Sequence, residues 1–442
     1  MKNLILLSVL LLSTLCVFAQ TQIGSNIYGE SAGDYSGSTV SLSSDGNILA
    51  IGASENDNVN GNNSGHVRVY KNVSGNWVQV GSDIDGEAEE NRSGSSVSLS
   101  SDGSIVAIGA YDNNNVNGYN SGHVRVYKNE SDNWIQVGSD IDGETAYDYS
   151  GISVSLSSDG NILAIGAPYN GGNGIQSGHV RVYKNVSGNW VKVGSDIDGE
   201  GAGDYSGWCV SLGSDGSVLA IGAFYNGGNG IQSGHVRVYK NESDNWIQVG
   251  SDIDGEAAND YSGYSVSLSS NGSVVAIGAF GNDGNGSNSG HVRVYKNESG
   301  SWVQVGNDID GEAANDYSGY SVSLCSNGSV VAIGAFDNDG NGSNSGHVRV
   351  YKNVSGSWVQ AGSDIDGEVA EDRSGFSVSL SSDGSVVAIG APNNDGNGSN
   401  SGNVRVFSTG IVAAPSVPVL PLVSIISFLV IGIMGVFKIK FF

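Results

Sequence analysis

One heptapeptide recurs along this chain at nearly constant spacing. Ser-Gly-His-Val-Arg-Val-Tyr begins at Ser64, Ser121, Ser177, Ser233, Ser289 and Ser345, and a variant, Ser401-Gly-Asn-Val-Arg-Val-Phe407, ends the series. A period of about 56 residues, filled with short strand-like runs, signals stacked or radially arranged modules. The copies run unbroken from Thr21 to Phe407, so most of the 442 residues read as one repeat domain.

The copy starting at Asp252 shows the pattern. A polar segment, Ser-Asp-Ile-Asp-Gly-Glu-Ala-Ala-Asn-Asp-Tyr-Ser-Gly263, leads into Tyr264–Ser269, where apolar and small residues alternate as in a strand. A tight Ser-Asn-Gly turn follows; it is Ser-Asp-Gly in most copies and marks a hairpin. Val274–Ala279 is a second strand, His291–Tyr295 a third and Trp302–Val305 a fourth. Four antiparallel strands in each of seven copies specify an all-β fold, a seven-bladed β-propeller. Ser265, Ser267, Ala276 and Gly278 are small enough to let neighbouring blades approach near the axis. A β-solenoid is the alternative, but the chain ends argue for a ring. The seventh copy stops after its third strand, at Val404–Phe407, and a fragment of the missing fourth strand, Thr21-Gln-Ile-Gly24, stands at the other end of the domain. That N-terminal strand is expected to complete the last blade and remove an open sheet edge.

Blade starts such as Tyr261-Ser-Gly-Tyr-Ser-Val and Arg373-Ser-Gly-Phe-Ser-Val resemble the Phe-Gly element of FG-GAP repeats. Val-Ala-Ile-Gly-Ala, followed by an Asp/Asn/Gly-rich loop, is similar to their Gly-Ala-Pro element. The resemblance spans residues 21–407 and implies the seven-bladed propeller of integrin α subunits and of many bacterial surface proteins. The integrin-type calcium loop, an Asp-x-Asp-x-Asp-Gly sequence between the first two strands, has no counterpart in the short Ser-Asp-Gly turn, so those calcium sites do not carry over.

A net charge of −26 excludes a nucleic-acid binder and suits an extracellular or cation-binding surface. Three cysteines at unrelated repeat phases give no disulfide framework. Residues 1–19 read as a signal peptide: Lys2, the apolar run Leu4–Leu12, and a Val17-Phe18-Ala19 cleavage site. Cys16 raises a lipoprotein alternative, which the bulky Leu15 disfavours. Residues 20–407 form the propeller, 408–421 a Pro-containing linker, and 422–442 a transmembrane helix with a short basic tail. The lysines of that tail would stay cytoplasmic, leaving the propeller outside. A sorting signal removed after export fits the same pattern.

The loop between the second and third strands is expected to share a face with the blade-to-blade segment, which makes one face acidic. Two oxygen-rich groups there are calcium candidates. The first is Asp337, Asp339 and Asn341, the start of an EF-type loop with no acidic residue at its twelfth position, Val348. The second is Asp252, Asp254, Glu256 and Asp260. Ordinary turn chemistry is the competing reading of both. The six histidines share one repeat position and, being spread around a ring, read as packing between blades rather than one metal site. The repeated tryptophans, Trp77 to Trp358, read likewise. Trp208 stands apart, at a blade start, and is a candidate ligand contact on the acidic face. No singular catalytic constellation stands out from the repeat. The expected role is therefore a non-enzymatic binding or adhesion module, a monomeric propeller with an extracellular protein or glycan partner. A polysaccharide-active enzyme and a purely structural display module are the alternatives.

Overall fold

The computed structural model describes residues 20–411; the signal-peptide and membrane-helix readings lie outside them. The described residues contain strands and turns and no helix. Seven sheets follow one another, each with four main antiparallel strands; in six they run in sequence order from the axis outward, and in the seventh the outermost strand is the N-terminal Thr21–Gln22. In blade V these are Ser265–Leu268, Val274–Ala279, His291–Glu298 and Ser301–Gln304. The first hairpin closes because Asn271 Oδ1 accepts the Ser273 amide at 3.0 Å while Gly272 takes a φ of +66°. The second strand is buried at nearly every position, as a strand covered on both faces must be.

Three boundaries differ from the sequence reading. The third strand runs on to Glu298, so the turn after it shrinks to Ser299 and Gly300, both at positive φ. The polar connection is not merely a linker. Ile253–Asp254 forms a two-residue strand that doubles back to pair with His235 and Val236 of the blade just completed. Ser408 also extends the last strand, and Ile411 packs on the core beneath blade VII, so residues 408–411 belong to the propeller rather than to the linker.

Blades touch through the small residues. A Cβ on Gly278 would overlap the carbonyl oxygen of Gly319 in the next blade, so only glycine fits. Ser265 Oγ donates to that carbonyl at 2.7 Å, and Ser267 Oγ accepts the Leu324 amide at 2.9 Å. The last bond recurs at every junction, ending with Leu42 N to Ser379 Oγ at 3.0 Å. A second ring of backbone bonds runs Ser44 to Ser101 and onward until Ser382 N reaches Ser44 O at 2.9 Å. Seven leucines and seven serines there enclose an axial cavity of about 160 Å³ on the hairpin-turn face. The ring is closed by the N-terminal strand: Thr21 pairs with Ser408, Gln22 with Phe407, and Ile27–Tyr28 with Val404 and Asn403.

Candidate functional site

The loops between second and third strands do share a face with the blade connections. Asn341 Nδ2, in such a loop, donates to Gly367 O at 2.7 Å. The calcium candidates on that face are engaged in separate contacts. Asp337 pairs with Arg373 at 3.3 Å, and Asp339 Oδ1 accepts the Asn344 amide at 2.9 Å. Those are turn and ion-pair roles. The second group is divided. Asp260 is buried and caps its own turn, its Oδ2 accepting Ala257 N at 2.9 Å. Asp254 lies in the small strand opposite His235. Asp252 turns toward His235, whereas Glu256 reaches onward to Arg293 in the next blade at 3.1 Å.

That division reveals a site that sequence reasoning missed. Each histidine opens a third strand, and the small strand pairs beside it, which brings the aspartate just before that strand into reach. Glutamate arrives from the connection leaving the preceding blade. At the junction into blade I, His66 Nδ1 lies 3.7 Å from Asp83 Oδ2 and 4.0 Å from Glu30 Oε2. The same trio gathers around His123, His179, His235 and His291, and His347 has Glu312 and Asp364. The His66 ring is 1% exposed. Burial, reinforced by the Arg68 charge and opposed by Asp83, holds its pKa down at about 4, so the imidazole is neutral at pH 7. Burial likewise raises the Glu30 carboxyl above its usual range. Arg68 Nη2 donates to Tyr28 O of the preceding blade at 2.8 Å while its guanidinium lies 3.7 Å from Glu30. The sequence did carry a signal for the trio, because histidine and aspartate change together in one copy: Asn403 and Asn26 replace them in blade VII.

The second feature surrounds the axial mouth on the loop face. The residue just before each inner strand is Ser38, Ser95 and Ile152 in blades I to III, then Trp208, Tyr264, Tyr320 and Phe376. Ring centroids of these last four follow one another at 5.6, 4.8 and 5.0 Å, forming a continuous crescent on one side of the mouth. Phe224, Phe280 and Phe336 back it at 4.7, 4.6 and 4.3 Å. All four front residues remain partly exposed. Trp208 is thus one member of a set, not an isolated contact. The outer-strand tryptophans instead tie blades together. Trp134 Nε1 donates to Val80 O of the preceding blade at 2.9 Å, and its equivalents do the same.

The FG-GAP repeat family model matches residues 253–295 and 365–407, each running from a small strand into the third strand of the next blade. No curated protein matches the chain. Among solved structures, Kuenenia stuttgartiensis hydrazine synthase is similar, with a TM-score of 0.54 and 13% identity over 88% of this chain and 99% of that one. At that identity the likeness concerns the fold. With the matched strand pattern and register repeated in every blade, the protein is an FG-GAP-type seven-bladed β-propeller.

Proposed function

We propose that the propeller is an exported, membrane-anchored binding module that takes an extracellular glycan on its loop face. The aromatic crescent is the observation that carries this reading. Trp208, Tyr264, Tyr320 and Phe376 present partly exposed rings on one side of the axial mouth, and Ser38, Ser95 and Ile152 hold the equivalent positions in the other blades. Flat apolar faces beside hydroxyl groups suit a sugar ring, which has an apolar face and a polar edge. The asymmetry matters, because seven identical blades would offer no preferred orientation to a ligand. The apolar runs at both chain ends support export and anchoring. A display module that uses the ring only as a spacer is the second reading, favoured by the near-identity of the blades.

A glycan array probed with residues 20–411 tests the proposal. A bound glycan whose affinity falls about tenfold or more in Trp208→Ala and Tyr320→Ala supports it, the loss expected for a central aromatic anchor. An array with no binder, or a binder indifferent to both substitutions, overturns it. Turnover of the bound glycan would assign the crescent to an enzyme. Since Asp337, Asp339 and Asn341 have partners of their own, binding is expected to survive the calcium chelator EGTA.

A further inference from the structure

We infer that five of the seven blade junctions are zinc-type divalent-metal sites, those of His66, His123, His235, His291 and His347. Each would be built from histidine Nδ1 and an aspartate of one blade and a glutamate supplied by the blade before it. The metal would staple neighbouring blades together.

The spacing comes first. In these five junctions Nδ1 lies 3.7 or 3.8 Å from the aspartate oxygen. That is too long for a hydrogen bond. Two ligands on one tetrahedral zinc ion sit about 3.4 Å apart, so a few tenths of an ångström of contraction would close the site. At two of the five junctions the nitrogen that faces the carboxylates is unpartnered, whereas at His66, His123 and His235 the buried atom without a partner is Nε2. The Nδ1 atoms of His291 and His347 are buried without a hydrogen-bond partner, on rings only 2% and 3% exposed; at His291, Arg293 Nε donates to Nε2 at 3.3 Å, so a metal on Nδ1 would have to shift the ring proton to Nε2 and break that contact. One nitrogen and two carboxylates form a zinc-type donor set with a position left for water, whereas calcium favours oxygen alone.

The surroundings fit the same role. In all five junctions a glutamine holds the aspartate by its other oxygen; Gln79 Nε2 donates to Asp83 Oδ1 at 2.7 Å. Such a bond orients a ligand while leaving Oδ2 free. Arg68 approaches the far oxygen of Glu30, Oε1, and leaves Oε2 toward the histidine. One guanidinium against two carboxylates leaves a negative charge beside a buried ring, which a cation would balance.

The two remaining junctions lack this arrangement. In blade III, Lys192 stands where the others have glutamine, and its ammonium group pairs with Asp196. At the junction into blade VII, Asn403 and Asn26 replace histidine and aspartate, and both amides donate to Glu368 Oε2, at 3.2 and 2.8 Å. Where the ligand pair is absent, hydrogen bonds take over its carboxylate.

These exceptions supply variants that copy side-chain sets the fold already accommodates. Protein loaded with ZnCl2, desalted and analysed by mass spectrometry for metal should retain about five zinc ions per chain. Lys192→Gln should add one ion, and the double change His66→Asn with Asp83→Asn should remove one. Melting curves confirm that both variants are folded. Cobalt in place of zinc should give the visible absorption of a low-coordinate site. A stoichiometry that ignores either variant, or calcium retained in equal number, overturns the inference.

Discussion

The six junctions leading into blades I to VI and the one leading into blade VII solve the same packing problem with different side chains. At the six, a buried histidine faces an aspartate and a glutamate, and a tryptophan on the outer strand donates to a carbonyl of the preceding blade. At the seventh, asparagines replace histidine and aspartate, Phe407 replaces tyrosine, and Gln20 stands in the tryptophan's place. Gln20 Nε2 still donates to the equivalent carbonyl, Ala361 O, at 3.0 Å. Arg405 still reaches the preceding small strand at Asp366 O, 2.6 Å away, and lies over Phe407 as Arg68 lies over Tyr70. The glycine contacts and the serine rings are unchanged. What all seven share is therefore what makes a ring; what the seventh lacks is not needed to close one.

The largest test of this division is to remove the closure itself. Deleting residues 20–28 strips two short strand pairings from Asn403–Ser408 and exposes the side that Ile27 covers. At roughly 1 kcal/mol per hydrogen bond and 1.5–3 kcal/mol per buried isoleucine, the loss should be on the order of 5 kcal/mol. Urea unfolding should show it, with aggregation through the freed edge. A peptide of residues 20–30 added in trans should restore part of it. A midpoint unchanged by the deletion would mean that the last blade stands without its latch.

A smaller effect asks whether inner packing is equal around the ring. A Cβ on Gly334 would overlap Gly375 O at the closing junction, as one on Gly278 overlaps Gly319 O at an ordinary junction. Both glycine-to-alanine changes should cost about 1–3 kcal/mol or more, because backbone must shift. Gly201→Ala, whose nearest contact is 3.6 Å, is the control. Unequal losses at Gly334 and Gly278 would show that blade VII is seated differently.

Much of the fold was legible because each blade states its strands in local terms. Val274–Ala279 is a short apolar run, its turns carry Asn-Gly or Asp-Gly, and Thr21-Gln-Ile-Gly24 matches the missing fourth strand's Val-Gln-Val-Gly in pattern, with Gln and Gly identical. The two-residue strand Ile253–Asp254 was not legible, since two residues have no periodicity and its acidic neighbours look like a linker. The histidine trio stayed hidden for a different reason. Glu30, His66 and Asp83 are distant in sequence and come from two blades, so only the register of the small strand brings them together. The contiguous string Asp252 to Asp260 suggested one cage, yet chain direction sends Asp252 and Glu256 to successive junctions. The crescent was half-visible: Trp208 stood out, while Tyr264, Tyr320 and Phe376 passed as variants of a blade start.

A third test separates the two kinds of junction by acid. In metal-stripped protein, burial holds His66, His123, His179 and His235 near a pKa of about 4, against 6.5 when free. Burial depresses His291 and His347 as well. Between those values the unfolded chain binds more protons than the folded one, so stability must fall as pH drops from 6.5 toward 4. Above 6.5 both states are neutral at these rings and the dependence disappears. The junction into blade VII has no histidine and adds nothing to this acid limb. Changing His66→Asn and Asp83→Asn together should therefore leave stability at about pH 7.5 nearly unaltered and flatten the limb by one junction's share, read from urea midpoints at several pH values. With zinc present the wild-type limb should steepen, because protons compete with the metal for the same nitrogen. An acid limb unaffected by the double change would place the proton uptake elsewhere in the ring.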